Sequence, residues 1–242
     1  MNTSHHSRTL VPWSSEIRNE TALVCIPWAG AGATPFRAWA PVVGDAADVY
    51  GVRLAGRESR QTEPPGTVLA DTVAELVREV TALDVPRVAL FGHCSGALLA
   101  FELAHALGRA DGAPEVEHLL VASQLPPRAF AAAAAVTSDD DLARFVPEDL
   151  RSEPELLELL LPILSADMRL VSDYGHAATA PLGSRLTVVY GADDEHLDRA
   201  AVDGWRAETT GAAELREVAG ADHLFSGAAW PALAGCVRDA LG

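Results

Sequence analysis

The feature that most constrains this chain is a pair of glycines around one cysteine, between two apolar segments. The run reads Leu90-Phe91-Gly92-His93-Cys94-Ser95-Gly96-Ala97. An apolar stretch leads into it from residue 88, and a stretch rich in alanine and leucine follows it to residue 107. A strand that ends in Gly-x-Cys-x-Gly and turns at once into a helix is typical of a nucleophile elbow, here with cysteine in the nucleophile's position.

Steric crowding explains the spacing of the two glycines. The central residue of such an elbow sits in a strained turn, so the residues two positions away on either side must be small. Gly92 and Gly96 meet that need around Cys94, whereas Ser95, the alternative nucleophile, has histidine and alanine at those positions. The register therefore favours Cys94. The alternative is a buried, inert cysteine in an ordinary glycine-rich turn.

Short apolar runs alternate with helical patterns along the chain. Strands are predicted at 22–27, 49–54, 87–91, 117–123, 185–191 and 215–218, and helices at 36–43, 68–83, 95–107, 200–209 and 230–241. The strands lack polar alternation, which indicates an α/β fold with a mostly parallel sheet covered by helices on both faces. Residues 1–15 are polar and are expected to form a frayed lead-in.

Residues 125 to about 178 break this alternation, because no strand pattern occurs there. The segment holds an alanine run at 131–135, an acidic stretch at 138–141 and a leucine-rich helical pattern at 155–164. Ligand sites of open α/β sheets lie at the carboxyl ends of the strands, so we interpret the segment as a helical lid inserted over that edge. A flexible linker at the alanine run is the alternative. The domain prediction is one domain, residues 1–242, with this insertion.

The composition restricts the compartment and the partners. The residues are 49% hydrophobic, which suits one domain with a full core, and no apolar run reaches the roughly 18 residues of a membrane span. The first residues lack the layout of a secretion signal. Three widely spaced cysteines argue against a disulfide framework or a zinc site, so we expect a cytoplasmic protein without a bound metal.

Charge bears on the partners as well. A net charge of −16 disfavours nucleic acid and anionic membranes. An acidic partner would need a local basic patch, and Arg53, Arg57 and Arg60 are the candidates for one.

A cysteine nucleophile needs a base, and the base needs an orienting acid. In hydrolases of this architecture the acid follows a late strand and the histidine lies before the last helix. Asp194 is the preferred acid and Asp193 its alternative, while His223 fits the base. The other candidate histidines fit less well: His93 in the elbow, His105 in a helix, His118 at a strand, His176 in the lid, and His196 close to Asp194 but outside the expected loop.

The same architecture predicts an oxyanion hole formed by two backbone N–H groups. One is that of Ser95, directly after the nucleophile, and the other is that of Ala29, in the glycine-rich loop at 28–33. A simple tight turn is the alternative reading of that loop. Because no Gly-Lys-Ser/Thr follows these glycines, a phosphate-binding loop is excluded.

Several further runs accompany the elbow and the Asp194 and His223 loops: Val24-Cys25-Ile26-Pro27-Trp28-Ala29-Gly30, Phe36-Arg37-Ala38-Trp39, Leu54-Ala55-Gly56-Arg57-Glu58-Ser59-Arg60, Ala100-Phe101-Glu102-Leu103-Ala104, and Leu161-Pro162-Ile163-Leu164-Ser165-Ala166-Asp167 with Tyr174. Together they resemble the type II (external editing) thioesterases of nonribosomal peptide and polyketide assembly lines, from about residue 22 to the end.

The resemblance implies an α/β-hydrolase fold with a helical lid. It also implies a substrate acyl or aminoacyl group held as a thioester on the phosphopantetheine arm of an acyl or peptidyl carrier protein, with no cofactor of the enzyme's own. Trp28 and Gly30 are expected to bind substrate, and a monomer is expected. The chain departs from the family pattern at Cys94, usually serine, at Ser95, usually methionine, at Trp28, usually histidine, and at Ala55, usually proline.

Three hypotheses follow. In the first, Cys94 takes the acyl group and His223 activates water, which gives hydrolysis. In the second, the acyl-Cys94 thioester is intercepted by the thiol of another carrier or by an amine, since cysteine-dependent relatives in this superfamily shuttle aminoacyl groups between carriers. In the third, the protein is a non-catalytic module that docks on carriers.

Overall fold

The computed structural model describes residues 7–130, 142, 154–172, 174–175 and 180–242. Within these ranges seven strands form one sheet in the order β1-β3-β2-β4-β5-β6-β7. They are β1 (Leu10–Pro12), β2 (Thr21–Ile26), β3 (Asp48–Val52), β4 (Arg87–His93), β5 (Glu115–Ala122), β6 (Arg185–Gly191) and β7 (Ala213–Val218). Neighbours from β3 to β7 run parallel, and only β1 is antiparallel to its neighbour. The mostly parallel sheet predicted from the sequence is confirmed.

The α-helices of the described ranges are α1 (Ala40–Val43), α2 (Leu69–Thr81), α3 (Ser95–Leu107), α4 (Pro127–Phe130), α5 (Pro154–Ser172), α6 (Arg199–Val202) and α7 (Ala229–Leu241). The helices predicted at 36–43 and 200–209 are each divided into an α-helical turn and a 3-10 turn, at Thr34–Ala38 and Asp203–Glu208. Pro41 at the start of α1 and Gly204 inside the second segment disfavour a continuous α-helix.

Two apolar layers cover the faces of the sheet. Along β2 the side chains of Val24 and Ile26 belong to one layer, with α2 and α3, and those of Leu23 and Cys25 belong to the other, with α1 and α7. All six residues of β2 are buried. A strand that is covered on both faces has no solvated side, which explains why the strands lack polar alternation.

The N-terminal segment corrects one expectation. Residues 10–12 are not a frayed lead-in, because β1 pairs with β3 and places Leu10 opposite Val52. Leu10 is only 1% exposed. A strand of three residues that ends in proline has no measurable periodicity, so the pattern did not reveal it.

The predicted lid is described in part. Helix α5 covers the predicted helical stretch and continues to residue 172, and Leu164 and Leu170 in its C-terminal half are buried. The alanine run, the acidic stretch and His176 lie outside the described residues. No helix in the described ranges is long and apolar enough to span a membrane, and those ranges contain no cluster of three potential metal ligands.

The arginines considered as a patch for an acidic partner are neutralised within the chain, so that interpretation is wrong. Each guanidinium lies next to a carboxylate in the folded structure. The pairs are Arg53–Glu58, Arg57–Asp167, Arg60–Glu63 and Arg60–Glu75, with N–O distances of 2.6–2.7 Å.

Candidate active site

The elbow at Cys94 has the strained backbone that the sequence predicts. Cys94 joins β4 to α3 with φ +53° and ψ −123°, a region that side-chain-bearing residues rarely adopt. A β-carbon on Gly92 would overlap the backbone of Gly96, and one on Gly96 would lie 2.6 Å from the carbonyl oxygen of Ile26. Since neither position accepts a side chain, Cys94 stands at the apex and Ser95 begins the helix.

Two loops from the C-terminal part of the chain bring an aspartate and a histidine to this turn. Asp194 follows β6, and its two carboxylate oxygens lie 3.0 and 2.9 Å from Nδ1 of His223. The Asp194 side chain is completely buried, whereas its alternative Asp193 is exposed. The backbone N–H of Asp193 donates to the carbonyl of Ala221 over 2.9 Å, which joins the two loops.

The pKa values of His223 and Asp194 reflect the interaction between the two side chains. Burial disfavours the imidazolium form of His223, but the charge of Cys94 and the hydrogen bonds to Asp194 and Cys94 outweigh burial and raise the pKa to about 10. Burial alone would raise the pKa of Asp194, yet the hydrogen bond and charge of His223 lower it. These interactions favour the imidazolium form of His223 beside the Asp194 carboxylate.

His93, the residue before Cys94, is completely buried. Its Nε2 donates to the main-chain carbonyl of His223 over 2.8 Å. His93 therefore links the elbow to the loop of His223. Its ring packs against Trp28 and Trp230, with centroids 5.2 and 6.1 Å away.

The remaining candidate histidines divide between the core and the site. His105 lies in α3 against Phe101, and His118 lies in β5, 2.9 Å from the hydroxyl of Thr187. His196 is nearer to the site than the sequence indicates. Its backbone N–H donates to Asp194 over 3.0 Å, and its ring centroid is 5.4 Å from that of His223.

The loop at residues 28–33 follows β2 and packs against helix α5. Ala29 is 6% exposed, and Gly30 has φ +83°. The N–H of Gly30 donates to Asp167 on α5 over 2.7 Å. Within the described part of the chain, the N–H groups of Ala29 and Ser95 have no hydrogen-bond acceptor, as an oxyanion hole requires of its donors before substrate arrives.

Trp28, a predicted substrate-binding residue, is half-buried and stands edge-on to His93 and Trp230. It therefore forms a side of the aromatic cluster next to the nucleophile turn. The position of Asp167 next to the loop at residues 28–33, and its pairing with Arg57, are not predicted from the sequence. Both residues occur in the runs that carry the resemblance, but they are 110 positions apart and nothing local links them.

Two known proteins give a comparison over nearly the whole chain. Gramicidin S biosynthesis protein GrsT of Aneurinibacillus migulanus is 29% identical over 211 residues, which are 84% of this chain and 82% of that protein. Thioesterase PikA5 of Streptomyces venezuelae is 30% identical over 236 residues, which are 90% of this chain and 80% of that protein.

Solved structures agree in fold. The RedJ thioesterase from the prodiginine pathway of Streptomyces coelicolor superposes with a TM-score of 0.83 and 28% identity, covering 91% of this chain and 85% of that one. The type II thioesterase BorB from the borrelidin cluster superposes with a TM-score of 0.87 and 27% identity, covering 99% and 100%.

The predicted fold class, an α/β-hydrolase fold, is confirmed by these superpositions. A model of the thioesterase domain matches residues 21–241. The chain therefore belongs to the thioesterase domain family.

Proposed function

We propose that the protein hydrolyses acyl or aminoacyl groups carried as phosphopantetheine thioesters on carrier proteins, through an acyl-Cys94 intermediate. The observation that carries the proposal is the pairing of His223, whose Nδ1 lies 2.9 Å from the buried Asp194 carboxylate and whose pKa is raised in part by its interaction with Cys94. Relatives from biosynthetic pathways, such as the RedJ thioesterase of the prodiginine pathway and the BorB thioesterase of the borrelidin cluster, support the substrate class.

The chemistry assigns one role to each group. The Cys94 thiolate attacks the thioester carbonyl, and the N–H groups of Ala29 and Ser95 stabilise the oxyanion. The pantetheine thiolate then leaves and takes the proton of His223. In the second half His223 removes a proton from water, which attacks the acyl-Cys94 carbonyl. The acid is released and the Cys94 thiolate is restored, while Asp194 holds the imidazole in position.

A sulfur nucleophile supports a second candidate function, acyl transfer. Attack of Cys94 on a thioester produces another thioester, so the exchange is nearly even in free energy and readily reversed. The thiol of a second carrier, or an amine, then competes with water for the same intermediate. An alkoxide nucleophile would give a more stable ester instead.

The mass of the carriers distinguishes these functions. Loaded carrier is mixed with enzyme, with and without an empty second carrier, and both carriers are weighed over time. Hydrolysis leaves a free phosphopantetheine thiol on the first carrier and transfers no acyl group to the second. Acyl on the second carrier contradicts plain hydrolysis. Cys94→Ser is the matched variant, expected to keep or gain hydrolysis and to lose transfer. If the loaded carrier stays unchanged in every mixture, for each of several classes of acyl group, both hydrolysis and transfer are contradicted.

A further inference from the structure

The loop that offers the Ala29 N–H, here the oxyanion loop (residues 28–33), is held by charged groups from elsewhere in the chain. The carboxylate of Asp167 on α5 accepts the N–H of Gly30 over 2.7 Å. The guanidinium of Arg57 donates to the carbonyl of Ala31 over 2.8 Å. The Ala29–Gly30 peptide and the Ala31 carbonyl are therefore each held by a side chain from outside the loop.

Arg57 and Asp167 also hold each other. Two N–H groups of the guanidinium donate to the two carboxylate oxygens, each over 2.6 Å. Both side chains are 5% exposed. A planar fork of this kind restricts the orientation of both partners, and it connects two segments that lie 110 positions apart.

Stability alone does not explain a buried ion pair. Removing two charges from water is unfavourable, and apolar residues of the same size often stabilise a protein as well or better. The Arg57–Asp167 pair differs from a purely structural one because each partner also bonds to the oxyanion loop, while the other contact of Arg57 is a longer one of 3.4 Å to the Ala55 carbonyl.

Helix α5 and the loop also pack directly together. Leu164 is 2% exposed and shares an apolar cluster with Ala29. A β-carbon on Gly30 would meet the Leu164 side chain at 3.6 Å. The helix that carries Asp167 thus covers the loop, and a displacement of one moves the other.

We propose that Arg57 and Asp167 are positioning residues that place the Ala29 N–H for the oxyanion. This inference rests on the proposed function. It makes the helix of the insertion part of the catalytic geometry, because the loop depends on a carboxylate that α5 supplies.

Asp167→Asn tests the proposal most directly. The amide keeps the size of the side chain but removes the charge and one of the acceptor oxygens. We expect kcat on an acyl-N-acetylcysteamine thioester to fall about thirtyfold or more, with KM changed less than about threefold, because an oxyanion donor acts in the transition state. Alkylation of Cys94 by iodoacetamide should change less than about twofold, since that displacement forms no oxyanion. An unchanged kcat, or an equal fall in both rates, overturns the proposal.

A double variant separates positioning from stability. Arg57→Met with Asp167→Leu replaces the pair by apolar groups of similar volume and leaves no buried charge unpaired, so we expect its urea midpoint of unfolding to be no lower than that of Asp167→Asn. The kcat should nevertheless stay as low as in Asp167→Asn, because Gly30 and Ala31 have lost their partners. Recovery of kcat in the double variant would mean that the pair is structural only.

Arg60→Met is the matched control. Arg60 belongs to the same turn and is 7% exposed, but its bonds go to Thr9, Arg53, Glu63 and Glu75. The Arg60→Met variant should be less stable than the parent but should keep a kcat within about threefold of that of the parent. A fall as large as that of Asp167→Asn would show that any loss in this turn suffices, and would overturn the specific role.

Hydrogen exchange makes the inference independent of the proposed reaction. Peptides covering residues 28–33 should exchange at least about tenfold faster in Asp167→Asn than in the parent, while β4 and α3 keep their protection. If the parent hydrolyses no thioester, the proposed function fails, and this measurement still decides whether Asp167 holds the loop. Equal exchange in both proteins overturns the positioning role.

Discussion

The imidazole of His93 donates a hydrogen bond to the backbone of His223, with Nε2 2.8 Å from the carbonyl oxygen. The strand that presents the nucleophile thereby holds the loop that presents the base. Burial and the charge of His223 lower the pKa of His93 to about 3. The ring therefore stays neutral at physiological pH, and this link does not titrate when the catalytic pair does.

His93→Phe is expected to keep the aromatic packing and to leave the His223 carbonyl without its donor. An unpaired buried carbonyl destabilises by about 1–3 kcal/mol, and we expect kcat to fall about tenfold because the loop loses a constraint. His118→Phe is the control, since it removes one buried hydrogen bond, to Thr187, at a position of β5 that pairs with Ala89, five residues before Cys94. Urea unfolding and thioester kinetics measure both variants. Equal kcat losses in the two would contradict a link specific to the site.

Asp194→Asn should lower kcat by about 10²–10⁴-fold, because the amide no longer stabilises the imidazolium. The Asp194 carboxylate contributes to the raised pKa of His223 in the free enzyme, so the alkaline limb of the kcat/KM profile should move to lower pH in the variant. A limb at the same pH in both proteins would contradict this contribution.

The stability of the same two proteins gives the sign of the Asp194 effect. The pKa of Asp194 is lowered from its ordinary value of 3.8. The Asp194 carboxylate therefore contributes its full stabilisation to the folded state above pH 3.8, the pKa in the unfolded chain. This contribution is lost as the pH falls through the lower pKa of the folded state. The parent should exceed Asp194→Asn in free energy of unfolding at pH 6, and the difference should shrink below about pH 4. Unfolding curves at pH 3, 4, 5 and 6 measure it, and a difference that grows on acidification would contradict the sign.

The rate of alkylation by iodoacetamide reports the thiolate of Cys94. An ordinary thiol loses about tenfold in rate per pH unit below about pH 8.5. The proposed function starts from a Cys94 thiolate beside the imidazolium of His223, and that state predicts a rate that changes less than about threefold between pH 6.5 and 8.5. His223→Gln should restore the ordinary dependence. A tenfold decrease per unit in the parent would contradict an activated nucleophile and favour a non-catalytic docking role.

Local sterics made the nucleophile turn predictable. Gly92 and Gly96 determine the register within five residues, and β6 and α3 occupy the ranges that the apolar patterns predict. The proximity of Asp194 and His223 follows from chain order in this architecture. The catalytic roles of these residues, and the binding roles of Trp28 and Gly30, stay predictions.

Long-range pairing was not predictable in the same way. An arginine looks alike in sequence whether it faces solvent or a carboxylate 110 positions away, so Arg57 was interpreted as part of a surface patch. Only the tertiary fold brings α5 against the turn that contains it. The same limit applies to β1, whose three residues gain order from β3 and not from a pattern of their own.

Gly96→Ala tests the close approach on which the turn depends. The added β-carbon would lie 2.6 Å from the carbonyl oxygen of Ile26, a backbone atom that cannot rotate away. We expect a loss of about 3 kcal/mol or more in free energy of unfolding, together with loss of thioesterase activity, since α3 would have to move from β2. Gly235→Ala is the matched control in α7, where a β-carbon meets nothing within 4 Å. There the same change should stabilise by about 0.5–1 kcal/mol through helix propensity. Thermal and urea unfolding measure both, and equal stability of the two variants would contradict the steric account of the elbow.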